Sequence, residues 1–320
     1  MNDVLDEQQK ELLRLFGGRV KFNEPLSKHS SLRIGGPALA WISVETEDEL
    51  SNVLRMARDF ELDWLINGLG SNTLFPDEGF DGLVLRLTGE FARWHVDDGV
   101  AHVGAGVVNA HLVRGLLKEG WVGMEFLTLI PGTFGGAIVM NAGTREKELS
   151  EILEEVRVLS LEEPRMATLT PENLDMRYRH AEIPAGRVVC SGAIRLTRGD
   201  VAAASANVKA DKDRRNETQP YGLASAGSTF ANPPGDAAGR LIDSLGLKGT
   251  KIGGARISEL HANFFINESG ATSEDFLRLM ALARVRVREE FGIELRPEVR
   301  FAGFDGWARL EELEKEVSKC

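Results

Sequence analysis

The sequence predicts a protein that mixes helices and strands, of the α/β or α+β class, in three parts. Helical and strand-like patterns alternate along the chain, as expected where helices pack on sheets. The chain has 320 residues, more than one ordinary hydrophobic core accommodates. It also has 34 glycines, about one residue in nine, against a typical share of ~7%. Because glycines gathered in turns let backbone pass close to a ligand, often a phosphate, this composition favours a ligand-binding protein.

The predicted regions follow one another along the chain. The expected divisions are an N-terminal helix at 1–19, regions at 20–88, 89–201 and 202–303, and a tail at 304–320. The tail is charged and helical, and we expect it to be peripheral. The N-terminal helix ends at Gly17 and Gly18, since paired glycines stop a helix.

The individual elements are predicted from the spacing of apolar side chains and from capping residues. Thr46 with Glu49 begins one helix, and Thr272 with Asp275 begins another, which Gly292 ends. The predicted helices are 3–16, one after Thr46, 109–119, 202–216, 237–245 and 273–290. The predicted strands are 64–66, 83–87, 92–96, 101–103, 156–161, 188–196 and 298–301.

The charge and the cysteine and histidine usage exclude several classes. A formal net charge of −11 argues against nucleic-acid binding, which needs a surplus of Lys and Arg. The N-terminus is acidic and helical rather than a signal peptide, and no run of about 18 apolar residues predicts a membrane helix. We therefore expect a cytoplasmic protein with no membrane partner. Cys190 and Cys320 form no CxxC pair and the histidines show no HxxxH spacing, so no metal site is expected.

Two glycine-rich loops could hold phosphates. Residues 68–72 follow a strand, and their amides and the Ser71 and Asn72 side chains could meet a pyrophosphate, although an ordinary tight turn is the alternative. Residues 131–137 form neither a P-loop nor GxGxxG, so a Rossmann nicotinamide site is unsupported, and a structural loop is the alternative. Two such loops suggest one extended ligand, and a dinucleotide such as FAD fits.

Three polar residues are candidates for chemistry. Ser228 lacks the GxSxG elbow of hydrolases, and its hydroxyl could be a nucleophile, a proton donor or a turn group. Arg179 could clamp a carboxylate with its planar fork, or lie on the surface without a role. Glu298 lies in a strand-like run, where its carboxyl could be a buried, tuned acid or an edge-strand acid.

Together, these segments resemble the UDP-N-acetylenolpyruvoylglucosamine reductase family. The matching segments, in the family's order, are 29–37, 68–72, 130–137, 140–143, 178–179, 226–233, 247–249, 252–255 and 295–303. Each motif is short, but seven or more in order are hard to obtain by chance. No long insertion follows Arg179, which is typical of the family's shorter type.

The resemblance implies an α+β protein with a fold and a cofactor. The fold is the vanillyl-alcohol-oxidase (PCMH) type of FAD-binding fold in two subdomains, 20–88 and 89–201, followed by an α/β substrate-binding domain. The cofactor is noncovalent FAD, which NADPH reduces as co-substrate in a ping-pong reaction. The implied cofactor-binding residues are Arg33, Gly68, Gly70, Ser71, Asn72, Ile130, Pro131, Gly132, Gly135, Gly136, Asn141 and Ala142.

The resemblance also implies a reaction, the reduction of UDP-N-acetylenolpyruvoylglucosamine to UDP-N-acetylmuramate for peptidoglycan. Hydride passes from the flavin to the terminal enolpyruvyl carbon. Arg179 would neutralise the substrate carboxylate, Glu298 would donate a hydrogen bond to the developing enolate, and Ser228 would protonate the carbanion. The implied substrate-binding residues are Tyr178, Asn232, Lys248 and His261. Cell wall biogenesis, cell shape and cell division would depend on this activity, and a monomer is expected.

The sequence departs from the family pattern without losing an implied catalytic residue. The departures are Leu69 (usually Gly), Thr144-Arg145 (usually Ala-Tyr), Ala181 (usually Ser) and Ala231 (usually Lys). Two other functions remain open from the residues. One is a different FAD oxidoreductase on the same scaffold, such as an alcohol oxidase with covalent flavin. The other is a sugar-nucleotide binding protein without catalysis.

Overall fold

The computed structural model describes residues 7–144, 146–161 and 165–319. Its helices are α1 (Glu7–Phe16), α2 (Glu47–Asp59), α3 (Asn109–Lys118), α4 (Phe134–Val139), α5 (Val201–Thr218), α6 (Ala238–Ser244), α7 (Ser273–Phe291) and α8 (Gly306–Val317). Residues 3–6 of the predicted first helix, and the departure at Arg145, lie outside the described residues.

The strands are short. They are β1 (Val20–Pro25), β2 (Pro37–Val44), β3 (Asp63–Ile66), β4 (Thr73–Leu74), β5 (Phe80–Leu87), β6 (Trp94–Asp97), β7 (Val100–Gly104), β8 (Trp121–Val122), β9 (Leu153–Ser160), β10 (Met166–Leu169), β11 (Arg187–Arg195), β12 (Thr197–Arg198), β13 (Ala224–Ser228), β14 (Lys251–Ile252), β15 (Ala255–Ile257), β16 (Phe264–Asn267) and β17 (Arg300–Phe301). None of the described helices is long and apolar enough to cross a lipid bilayer.

The chain folds into two compact units that are not colinear with the sequence. The first unit comprises Met1–Asn23, Leu39–Gly68 and Asp81–Lys212, and the second comprises Glu24–Ala38, Leu69–Phe80 and Asp213–Cys320. Two short segments from the N-terminal quarter of the chain therefore belong to the C-terminal unit. The linear division predicted from the sequence remains a prediction.

The first unit contains two sheets over its own apolar core. One has the strand order β1-β2-β5-β3, with β3 and β5 parallel, and the other has the order β10-β9-β11-β7-β6 and is antiparallel. Helix α2 begins as predicted at Thr46, whose hydroxyl accepts a hydrogen bond from the Glu49 amide at 3.2 Å. The predicted capping box is only half formed, because the Glu49 carboxylate accepts from the Glu45 amide and from Arg19 instead.

The second unit is built on the antiparallel sheet β13-β16-β15-β14 and on the parallel pair β4-β17. The capping box of Thr272 and Asp275 forms completely at the start of α7, and Gly292 ends that helix with a φ of 66°. The prediction of a peripheral tail is wrong. Helix α8 packs on α7, with Leu310 and Leu313 fully buried, because these residues recur at helical spacing and face the apolar core.

Candidate functional site

Gly68, the first residue of the predicted phosphate loop 68–72, lies against the predicted phosphate loop 131–137 within the first unit. The loop at 68–72 follows β3, and the loop at 131–137 runs into α4. A Cβ added to Gly68 would lie 2.7 Å from the Thr133 hydroxyl oxygen, so only glycine lets the two loops approach this closely. At Gly135 the requirement comes from packing, since an added Cβ would lie 2.8 Å from the Ala105 Cβ.

Each of these glycine turns leaves some backbone or space without an internal partner. Within the described part of the chain, no backbone carbonyl accepts a hydrogen bond from the amides of Gly68, Leu69 or Gly70. A Cβ added to Gly136 would meet only the Thr133 hydroxyl oxygen, at 3.7 Å, so the space beside it is open. Backbone amides without an internal acceptor are suitable donors for anionic oxygens.

The loop at 131–137 is held in place by Asn109, the first residue of α3, and by the backbone just before that helix. The Asn109 amide donates to the Gly132 carbonyl at 3.1 Å, and the Asn109 side chain donates to the Ile130 carbonyl at 3.2 Å. The Gly135 amide donates to the Ala105 carbonyl at 2.8 Å and is therefore already paired. Asn109 is buried, so its side chain acts by holding this loop, a role that sequence patterns did not reveal.

Within the second unit, Ser31 holds the loop at 68–72 through the Gly70 carbonyl. Ser31 donates to the Gly70 carbonyl through both its amide (3.0 Å) and its hydroxyl (3.2 Å). Arg33 has a left-handed φ of 54° and an exposed side chain, and the Asn267 side chain donates to the Leu32 carbonyl at 2.9 Å. Segment 29–37 therefore serves as a support for the glycine turn.

Asn141, predicted to bind cofactor, has a side chain that is fully buried and internally bonded. It donates to the Glu148 carboxylate at 2.9 Å and to the Arg177 carbonyl at 3.2 Å, and it accepts from the Ser150 amide at 2.9 Å. Its side chain therefore fixes the turn that carries Arg179. The adjoining Ala142 is buried as well.

Arg179 lies at the second corner of a tight turn in the first unit. Arg177 and His180 close this turn through two backbone hydrogen bonds of 3.0 and 2.9 Å. Arg179 takes a left-handed φ of 55°, which is costly for a residue with a side chain. Its guanidinium donates to the Gly143 carbonyl at 2.9 Å and lies 4.8 Å from the centre of the Tyr178 ring. A strained backbone that presents a held cation is typical of a functional position.

The departure at Ala181 lies two residues further along the chain. Ala181 is buried, and its amide donates to the Val139 carbonyl at 3.1 Å. The family's usual serine hydroxyl is replaced here by a methyl group in the apolar core of the first unit.

Ser228 ends strand β13 in the second unit, directly after a β-bulge. The pairing of β13 with β16 shifts register between Ser225 and Ser228, and Gly227 has a φ of 76°. A bulge re-aims the side chains that follow it. The Ser228 residue is half-buried and pairs with Phe264.

The backbone of Glu298 is hydrogen-bonded to Thr229, the residue after Ser228, and to the Asn72 side chain. Its amide donates to the Thr229 carbonyl at 2.8 Å, and its carbonyl accepts from the Asn72 side chain at 2.9 Å. The Arg300 amide donates to the Asn72 carbonyl at 3.0 Å, where β17 pairs with β4. Within the second unit, one run of hydrogen bonds therefore connects Asn72, Glu298 and the residue after Ser228.

The predicted substrate-binding residues of the second unit surround α6. The Asn232 side chain accepts from the amide of Ala238, the first residue of α6, at 3.1 Å, and Lys248 pairs with Asp243 of α6 at 2.7 Å. The His261 ring lies against Gly239 of α6.

The surroundings of His261 favour the neutral form of its ring, with one nitrogen available as a hydrogen-bond donor. Burial, and to a smaller extent the positive charge of Lys248, lower the pKa of His261 below its ordinary value. Its Nδ1 accepts from the Asn263 amide at 3.2 Å, which places the proton of the neutral ring on Nε2.

Among the described residues, one cluster offers three possible metal ligands, namely Asp175, His180 and Glu182. Asp175 and Glu182 are exposed, and Asp175 forms an ion pair with Arg177 at 2.8 Å. The cluster carries no argument for a metal.

Comparison with known proteins agrees with this geometry. Residues 38–163 match the family described as "FAD binding domain", and residues 219–302 match "UDP-N-acetylenolpyruvoylglucosamine reductase, C-terminal domain". The chain is 42% identical to UDP-N-acetylenolpyruvoylglucosamine reductase 2 of Symbiobacterium thermophilum, over 91% of this chain and 94% of that protein. It is 43% identical to the reductase of Anaeromyxobacter sp. strain K, over 92% of this chain and 88% of that protein.

A solved structure extends the comparison to the fold. The UDP-N-acetylenolpyruvylglucosamine reductase of Thermus caldophilus is similar with a TM-score of 0.77 and 37% identity, covering 88% of this chain and 98% of that one. An FAD-binding domain followed by this C-terminal domain defines an FAD-dependent oxidoreductase. The chain belongs to the UDP-N-acetylenolpyruvoylglucosamine reductase family. The predicted family, α+β FAD-binding fold, enzyme class and FAD cofactor are thereby confirmed, whereas the roles of individual residues remain predictions.

Proposed function

We propose that the chain uses NADPH and noncovalently bound FAD to reduce the enolpyruvyl double bond of UDP-N-acetylenolpyruvoylglucosamine. The product is UDP-N-acetylmuramate, a precursor of peptidoglycan. Family membership supports the reaction class. The observation that carries the residue roles is the hydrogen-bonded run in the second unit, because it attaches Glu298 and the residue after Ser228 to the turn containing Asn72.

The two glycine turns would hold the diphosphate of the cofactor. The amides of Gly68, Leu69 and Gly70 and the open surface at Gly136 support this assignment, since such donors suit anionic oxygens. When bound, FAD supplies the hydride that it accepts from NADPH.

The three polar residues have complementary tasks in this proposal. Arg179 binds the substrate carboxylate with its guanidinium, which is always charged and planar. Glu298, in its protonated form, donates a hydrogen bond to the oxygen on which negative charge develops. Ser228 gives its hydroxyl proton to the carbon that becomes a carbanion. A serine hydroxyl is a weak acid, so this step depends on close placement.

The residues around α6 would bind the sugar nucleotide. Lys248 supplies a positive charge for the diphosphate of the substrate, and the Nε2–H of neutral His261 supplies a hydrogen-bond donor. Asn232 retains amide N–H groups, because its oxygen accepts from Ala238. Tyr178 offers a half-exposed ring beside Arg179.

The proposal extends to the cell and to partners. The chain acts in the cytoplasm as a monomer and binds neither nucleic acid nor membrane, and the net charge of −11 supports the absence of nucleic acid. Its activity would contribute to cell shape and cell division through the cell wall.

Anaerobic half-reactions test the function. We expect the purified protein to be yellow, to be bleached by NADPH, and to recover its colour when UDP-N-acetylenolpyruvoylglucosamine is added. Pyruvate and phosphoenolpyruvate serve as controls that lack the nucleotide sugar. If the yellow colour stayed with the protein after acid precipitation, the FAD would be covalently bound, which would contradict the proposal. If the bleached flavin were not reoxidised by the enolpyruvyl substrate, the proposed reaction would be refuted.

A further inference from the structure

A buried asparagine continues the pairing of strand β13 beyond the point where the sheet ends. The Asn263 residue is only 3% exposed. Its side-chain oxygen accepts from the Phe230 amide at 3.0 Å, and its side-chain nitrogen donates to the Phe230 carbonyl at 2.8 Å. The amide group thus forms the same pair of bonds that a neighbouring strand would form.

The Thr229 backbone lies between this asparagine and Glu298. The Thr229 amide donates to the Asn263 carbonyl at 2.8 Å, and the Thr229 carbonyl accepts from the Glu298 amide at 2.8 Å. Asn263 therefore holds both residues that follow Ser228, and the same short segment holds Glu298.

The two residues directly before Ser228 lie in the bulge and outside the strand register, although Ser225 before them pairs with Ile266. Gly227 is in the left-handed region with a φ of 76°, and no atom lies within 4 Å of a Cβ added there. The strand register is also broken between Ser225 and Ser228. Because a serine hydroxyl is only two bonds from the backbone, its position follows the better-held side of the chain, which is the side that Asn263 fixes.

We propose that Asn263 is a positioning residue that places the Ser228 hydroxyl for proton transfer, an inference that rests on the proposed function. Asn263 acts through the Thr229–Phe230 backbone and does not itself supply a proton. Removing its side chain leaves two buried backbone groups of Phe230 without partners, which allows this segment to shift. A shift of about 1 Å at a reacting group can cost ~10²-fold in rate.

The first test compares the two half-reactions of the FAD-loaded Asn263→Ala enzyme. We expect the rate of flavin reduction by NADPH to stay within about twofold of wild type, and the rate of reoxidation by the enolpyruvyl substrate to fall ~10²-fold. Leu310→Ala is the matched control, since Leu310 is fully buried in the core of the second unit but lies on α8, outside the segment that Asn263 holds. The control should lower the melting temperature and leave the ratio of the two rates unchanged.

The second test is Asn263→Asp, which remains informative if the alanine variant does not fold. An ionised Asp accepts from the Phe230 amide but cannot donate to the Phe230 carbonyl, whereas a protonated Asp can do both. Burial raises the pKa of a carboxyl group, so protonation is accessible above the usual range. We expect the reoxidation rate, relative to wild type at the same pH, to recover as the pH falls.

The outcomes separate this inference from the function on which it rests. If wild-type enzyme is not reoxidised by the enolpyruvyl substrate, the proposed function fails and the inference fails with it. If wild type turns over but Asn263→Ala slows both half-reactions equally, or Asn263→Asp shows no recovery at low pH, the positioning role is refuted while the function stands.

Discussion

The two units of the molecule hold their candidate functional side chains by different means. In the first unit, Arg179 lies on a strained two-residue turn, and its guanidinium is anchored by the Gly143 carbonyl and the Tyr178 ring. In the second unit, Ser228 and Glu298 are positioned by backbone pairing, Ser228 opposite Phe264 and Glu298 opposite Thr229.

The lengths of the side chains explain this difference. A guanidinium lies at the end of a long, flexible side chain and must be located by contacts of its own. A serine hydroxyl has almost no reach, so the backbone must locate it. Positioning of the second kind depends on side chains that bond to nearby backbone groups, as Asn263 bonds to Phe230 and Asn72 bonds to Glu298.

The largest expected effect tests whether the second unit supplies the proton. Ser228→Ala should slow flavin reoxidation by the enolpyruvyl substrate ~10²-fold or more, because the proton donor is lost, and should leave flavin reduction by NADPH unchanged. Stopped-flow absorbance of the flavin measures both rates. Ser318→Ala, which removes a hydroxyl from the end of α8, is the control. An equal fall in both rates would exclude Ser228 as the proton donor.

The next effect tests how far the second unit depends on α8. Leu313→Ala should lower the free energy of unfolding by about 2–5 kcal/mol, because it leaves a cavity in a fully buried site. Glu311→Ala, on the exposed face of the same helix, should change it by no more than about 0.5 kcal/mol. Denaturant titration followed by fluorescence provides both values. Equal stability of the two variants would contradict the docking of α8.

A smaller effect tests the strain assigned to the first unit. Arg179→Gly and Arg179→Ala both remove the guanidinium and should lower kcat/KM together. The glycine variant should be more stable than the alanine variant by about 1 kcal/mol, because only glycine accepts a φ of 55° without steric cost. Thermal and denaturant unfolding compare the two proteins. If alanine were the more stable, this turn would not be strained.

The smallest effect concerns the charge balance around α6 in the second unit. Lys248→Met should raise the pKa of His261, because one of the two causes that lower it is removed. Nuclear magnetic resonance titration of the His261 ring measures this, with Lys251→Met as a control that removes an exposed lysine paired with Glu268.

The same shift has a consequence for stability. The pKa of His261 in the folded protein lies below its ordinary 6.5, so the unfolded chain takes up a proton at this ring more readily. The stability that the neutral His261 contributes is therefore complete above pH 6.5 and is lost as the pH falls below 6.5. The loss should be smaller in Lys248→Met. If Lys248→Met lost as much stability as wild type when the pH falls, His261 would not be coupled to Lys248.

Much of the local structure was predictable because it depends on residues close in sequence. The capping pair of Thr272 and Asp275, and the glycine that ends α7, act within one turn of the same helix. The peripheral tail was predicted wrongly because the charged residues of α8 dominate its composition. In the structure, Glu314 is buried and pairs with Arg284 at 2.5 Å and Arg288 at 2.8 Å, so its charge supports docking.

The candidate site was predictable in its residue types and less so in its supports. Glycine turns and ordered motifs pointed to FAD and to Ser228, Arg179 and Glu298. Asn109 and Asn263 belong to no motif used in that prediction, and their roles depend on which backbone groups lie opposite them. An isolated asparagine in a sequence gives no indication of such a partner.

By itself, the sequence determined the family, the cofactor class and the elements whose caps and apolar spacing act over three or four residues. The tertiary structure alone decided which distant segments share a unit, because it brings Asn72 to Glu298 across 226 positions and Asn263 to Phe230 across 33. The physical reason is that backbone hydrogen-bonding groups are the same at nearly every residue. Only folding determines which of them meet a given side chain.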